Sequence, residues 1–175
     1  MKKAKILRGR ERGQSAVEFA LMLPVMMLLM FGIVQVARVF YVYHTLQKAL
    51  RGGAGFIARM NNVNYCDDQN ESFLNARNYI VFGNLEGSGT AVVNGLTPEM
   101  IQILPERAVA DPPVVEQCIC SEDAASCDIT TSGRAPDYVV VNLGAAGFPV
   151  DVRFPFVTIG SIPLRVSVRM AVSGE

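Results

Sequence analysis

Sixteen consecutive residues, Phe19 to Val34, carry no charge, and Ala16 and Val17 extend the apolar stretch upstream past Glu18. The whole run approaches the roughly 20 residues that cross a bilayer as a helix, too long and too uniform for an ordinary core helix. Six bases precede it: Lys2, Lys3, Lys5, Arg8, Arg10 and Arg12, against the single acid Glu11. That asymmetry predicts an amino terminus held in the cytoplasm and a chain that crosses once, leaving its carboxyl-terminal part on the far side.

Two simpler segments share this outline. A secretory signal ends in small residues at an A-x-A-like site beyond its apolar core, whereas here that place reads Val34-Gln35-Val36-Ala37-Arg38. A plain signal-anchor helix accounts for everything except Glu18. A carboxylate at the centre of a membrane helix costs about 2.5–3.5 kcal/mol and calls for a partner. The cost is smaller near the start of the helix, where the backbone dipole favours an anion.

The junction Arg12-Gly13-Gln14-Ser15-Ala16-Val17-Glu18-Phe19-Ala20-Leu21-Met22-Leu23-Pro24 resembles the processing site of type IV pilin precursors. In its fuller form it is similar to the TadE-like pseudopilins, minor pilins of the bacterial tight-adherence (Flp pilus) apparatus. Further matching stretches are Gln47 to Ala54, Ala76 to Asn84, Gly95 to Pro98 and the last strand pattern. The resemblance implies that a prepilin peptidase cuts between Gly13 and Gln14. A glycine there offers no side chain to obstruct close backbone approach. Gln14 would then begin the mature chain, and Glu18 would pair with the free amino terminus of a neighbouring subunit, since a buried charge needs such a partner. Phe19 stands where major Flp pilins usually carry tyrosine, which implies a minor component. The implied partners are the peptidase, other pilins or pseudopilins, the inner-membrane assembly platform and the membrane itself, with no cofactor.

On this reading residues 1–13 are a removable leader, 14–60 a helix whose first half spans the membrane, and 61–175 a periplasmic or extracellular α+β domain. Cutting leaves 162 residues (175 less 13), enough for one helix and one modest domain. The net charge of zero conceals a division, because residues 60–175 hold six Lys or Arg against fourteen Asp or Glu. An acidic domain of this kind argues against nucleic acid as a partner.

Periodicity supplies the elements. Val36, Val39, Phe40, Tyr43, Leu46, Leu50 and Ile57 recur at helical spacing, so the first helix is expected to continue to about Met60 as a rod of roughly 70 Å. Pro24 is expected to kink it, and Gly52, Gly53 and Gly55 to fray or bend it, each lowering helix preference by up to about 1 kcal/mol. A polar loop from Asn61 to Gln69 leads to a second helix from Glu71 to Phe82, stopped by Gly83. Leu85 to Pro98 suits a hairpin or irregular loop, and Met100 to Leu104 a strand. Alternation marks three more strands: Tyr138 to Leu143, Val150 to Phe156 with Pro155 at an edge or end, and Leu164 to Val172. Together these predict an antiparallel sheet packed on the helix, an α+β fold.

Cys66, Cys118, Cys120 and Cys127 all follow the apolar run, as expected of disulfides on an oxidising side. A bridge from Cys118 to Cys120 would strain a very short ring, which favours Cys66 joined to one member of that pair and Cys127 to the other. A zinc site is disfavoured, because Cys-x-Cys-x6-Cys lacks paired ligand spacing and His44 is the only histidine. That single histidine also leaves no triad chemistry in view, and Gly83 to Gly89 lacks the lysine of a phosphate-binding loop. Asp67-Asp68 and Glu122-Asp123 read as solvated surface, and Asn70-Glu71-Ser72 as a sequon that matters only in a glycosylating host. The sequence therefore points away from an enzyme and toward an assembly subunit for surface adhesion and biofilm formation. The alternative is an uncleaved, membrane-anchored periplasmic binding or adhesion domain.

Overall fold

The uncharged run forms the proximal part of one continuous helix, α1 (Glu11–Ile57), in a computed structural model that describes residues 11–109, 114–120, 127–129, 133–153 and 158–173. Its 47 residues correspond to about 70 Å at 1.5 Å per residue. α1 remains helical through Pro24. It also runs unbroken through Gly52, Gly53 and Gly55, where fraying or bending was expected. The reason lies in packing: a Cβ on Gly53 would stand 2.1 Å from Ile80 Cγ1, and one on Gly52 3.1 Å from Tyr79 Cε1. The glycines let a second helix approach, and the burial gained there offsets their low helical preference.

That second helix, α2 (Glu71–Phe82), begins at Asn70, whose side chain accepts a hydrogen bond from the Ser72 amide, and ends at Gly83 in the left-handed conformation with φ 73°. Both ends follow directly from residue type, a capping amide acceptor at the start and a residue without Cβ at the stop. The stretch after it is irregular up to a 3-10 turn at Pro98–Met100.

Six strands follow among the described residues: β1 (Gln102–Val109), β2 (Val114–Gln117), β3 (Tyr138–Asn142), β4 (Phe148–Arg153), β5 (Thr158–Leu164) and β6 (Ser167–Ala171). They form two sheets, antiparallel throughout: one of four strands in the order β2-β1-β3-β6, and a separate pair β4-β5. The fold is α+β, but the expected single sheet is divided. The stretch from Leu164 to Val172, which alternates like one strand, breaks after Leu164. Leu164 pairs with Phe148 in the small sheet, and Ser167 pairs with Asn142 in the large one. Alternation continues across the break because buried Val166 and Val168 keep the same facing, so side-chain pattern alone does not reveal a change of pairing partner. Phe154, Pro155 and Phe156 lie outside the described residues.

The core gathers at the far end of α1. Leu46, Leu50, Ala54 and Ile57 are fully buried and recur every three or four positions, one face of the helix. They belong to one apolar cluster with Phe73, Ala76 and Ile80 of α2 and Val139 and Val141 of β3. The carboxyl-terminal strand is tied to the helix end where the Ser173 amide donates to the Ala58 carbonyl at 2.9 Å. Lower on the same stripe, Val36 and Phe40 remain 57% and 60% exposed. The apolar stripe thus serves the domain at one end and is bare at the other.

Candidate assembly and processing site

Gly13, Gln14, Glu18 and Phe19 all lie on the first turns of α1 and are exposed. The Gln14 side-chain amide donates to Glu18 Oε1 at 3.4 Å, a contact one helical turn long. The helix thus brings the proposed first residue of the mature chain beside the acid proposed to guide assembly, through the spacing of four. Phe19 is 64% exposed, and a Cβ built on Gly13 meets nothing within 4 Å. Among the described residues no contact requires glycine at that position.

Above these residues the helix carries a bare apolar surface. Leu21, Met30 and Ile33 are each at least 70% exposed, and α1 is long and apolar enough to cross a membrane, with none of its most apolar window buried. Removing such a surface from water is worth roughly 25 cal/mol per Å². The stem therefore demands a covering that the domain does not supply.

The cysteines brace the other end. Cys66, just after α1, is bonded to Cys120, and Cys118 to Cys127, with Cα separations of 5.5 and 5.8 Å. Of the two arrangements that the spacing favours, this is the one in the structure. It fastens the turn between the helices to the end of β2. The Cys118 amide also donates to the Pro105 carbonyl, and the Cys127 amide to the Ile119 carbonyl.

Other candidates dissolve into structure. His44 is exposed and lies between Phe40 and Tyr43, with ring centroids 6.4 and 5.8 Å away. Asp68 pairs with Arg77 at 3.3 Å, and Asp67 accepts from the Gln69 amide. Asn84 closes the glycine-rich loop by donating to the Ser88 carbonyl. Among the described residues no group of three or more His, Cys, Asp or Glu is placed to hold a metal ion. Glu122 and Asp123 lie outside the described residues.

Sequence reasoning missed one feature, a cleft of about 830 Å³ at the junction of α1, α2 and β6. Lys48, Arg51 and Arg59 edge it, and Phe56, Tyr79 and Met170 are among the residues that line it. Its trace in the sequence is a stretch from Gln35 to Arg59 that holds four bases and no acid.

Stem and head together define a class: a disulfide-braced α+β head carried on one long helix whose apolar half is unpartnered. Within it, the family model described as TadE-like protein matches residues 13–54, so the stem and its entry into the head form a TadE-like region. The match begins at Gly13 and leaves out the basic segment before it. No curated protein and no solved structure matches the chain.

Proposed function

We propose that the chain is a pilin-like subunit, a minor component of a tight-adherence pilus that serves surface attachment and biofilm formation. A prepilin peptidase removes residues 1–13. Residues 14–60 anchor the subunit in the inner membrane and later bundle with other pilins, and residues 61–175 stand in the periplasm or at the cell surface. The observation that carries the reading is a bare apolar stem, fused without a break to a folded head and matched as TadE-like from Gly13 onward. A stem with no intramolecular covering can be covered by lipid before assembly and by sibling helices after it. Glu18, set in that stem, then takes the released amino group of a neighbour as its partner. Extraction through the assembly platform exchanges one covering for the other, and no step requires chemistry on a substrate.

Intact mass of the native protein from cells with an active prepilin peptidase tests this. Loss of thirteen residues, leaving Gln14 first, is the expected result. A full-length chain that stays in the membrane would instead favour the permanently anchored binding or adhesion domain.

A further inference from the structure

The cleft that sequence reasoning missed is cationic in an otherwise acidic head. Lys48, Arg51 and Arg59 are exposed, and none makes an ion pair among the described residues. Elsewhere in the head, by contrast, Arg77, Arg134 and Arg169 are each matched to a carboxylate. Between the cations, Gly52 and Gly55 keep the helix surface low, and Phe56, Tyr79 and Met170 give the floor an apolar surface.

Two simple occupants fit poorly. Lys48 lies ten residues beyond Arg38, about 15 Å along the helix, whereas the headgroup layer outside the hydrocarbon is only about 5–8 Å deep. The cleft stands clear of lipid. The cations are also spread out, Lys48 on α1 and Arg59 in the turn just past its end at Ile57, nine helical positions from Lys48 or about 14 Å, rather than converging on one point as a small anion requires. The arrangement suits an acidic protein surface.

We propose that this cleft receives exposed carboxylates of a second copy of this chain, so that heads associate cleft to carboxylate as their stems lie side by side. The charge complement is present in the same sequence: residues 35–59 carry four bases and no acid, and residues 61–175 carry fourteen acids against six bases. Asp67, Glu71, Glu86 and Glu99 are among the exposed carboxylates. Anchored stems supply the proximity, because chains inserted in one bilayer with the same orientation meet at high effective concentration. The contact joins two different patches, the cleft of one copy and the carboxylates of another, so a pair of neighbouring subunits is enough to form it. The inference rests on the assembly reading, since it needs stems that gather.

The test uses the full chain with benzoylphenylalanine at Phe56, reconstituted in phosphatidylcholine vesicles without peptidase. Irradiation is expected to give a dimer whose adduct maps to residues 61–175 of the second copy. Lys48→Glu, Arg51→Glu and Arg59→Glu together, in the probe-bearing chain, are expected to lower its yield about tenfold, as opposed charges become like charges. The reversed chain without the probe is still expected to be captured by the unaltered probe-bearing chain, because it retains its exposed carboxylates and its fold. An adduct only with lipid or only with the second stem, a yield indifferent to charge reversal, or loss in both directions overturns the inference. Trimming is read separately, in cells with an active peptidase: a chain trimmed there that gives no such adduct in vesicles sinks this inference alone, and a chain that gives the adduct in vesicles but stays full-length in those cells sinks only the processing reading.

Discussion

Gly53 of α1 faces Ile80 of α2 so closely that a Cβ at position 53 would lie 2.1 Å from Ile80 Cγ1 and 2.5 Å from Cδ1, with the Ala76 carbonyl at 3.3 Å. Both residues are buried, so neither can move aside into solvent. Gly53→Val is expected to destabilise the head by about 1–3 kcal/mol through overpacking, despite valine's better helical preference. Ile80→Ala alone is expected to cost about 2–5 kcal/mol by leaving a cavity. Their combination should cost less than the sum, because the small residue makes room for the large one. Denaturant unfolding of the four proteins checks this, and strict additivity would place the contact elsewhere.

The two disulfides differ in the length of chain they close. Cys66 and Cys120 are 54 positions apart, and Cys118 and Cys127 only nine. In the loop-entropy account the long closure contributes about 4 kcal/mol and the short one about 3 kcal/mol. Replacing Cys66 and Cys120 by serine is therefore expected to lower the unfolding midpoint more than replacing Cys118 and Cys127. The opposite order would mean that the short loop, by placing Cys120, organises the whole brace.

Tyr65 links the same turn to the end of α1, its hydroxyl donating to the Ile57 carbonyl at 3.2 Å while its ring meets Phe73 edge-on at 5.9 Å. Burial pushes its phenol up from 10.0 to about 12. The unfolded chain releases this proton near its ordinary value of about 10, whereas the folded head holds it. The resulting stability is fully present below pH 10 and is lost as pH rises through about 12. Tyr65→Phe keeps the ring, gives up about 1 kcal/mol with the hydrogen bond, and is expected to flatten the alkaline limb of a stability profile. A limb of unchanged slope would assign the transition to another group.

These sites show which parts of the fold the sequence made legible. α2 was readable to the residue, because Asn70 and Gly83 act locally, one as an acceptor for the first turn and one by its freedom at φ 73°. The stem was readable because hydropathy sums over many residues. The sheet was less so: the strand ending at Leu164 and the one beginning at Ser167 alternate in phase, and only the distant partners Phe148 and Asn142 separate them. Gly53 looked like weakness in a helix because Ile80, 27 positions later, supplies the reason for it. The cationic cleft was hidden similarly, since Lys48 and Arg51 belong to an ordinary polar helix face until Tyr79 and Met170 arrive beside them.

Gly13 and Glu18 allow recognition to be separated from folding. A Cβ at Gly13 has nothing within 4 Å, and the Gln14 to Glu18 contact lies on an exposed helical turn. Neither position supports the core gathered from Leu46 onward. Gly13→Leu is therefore expected to leave the unfolding midpoint of the head unchanged and to leave the chain untrimmed, as intact mass would show. Glu18→Ala is expected to be trimmed normally and to fail at assembly, scored by loss of surface pili, because no other acid lies in the stem from Gln14 to Arg59 to meet a neighbour's amino group. Glu18→Gln keeps the hydrogen-bonding shape without the charge. Failure of Glu18→Gln alongside Glu18→Ala would assign the role to charge pairing, whereas normal assembly of Glu18→Gln would assign it to the amide-like contact with Gln14. Normal assembly of both would remove Glu18 from the process.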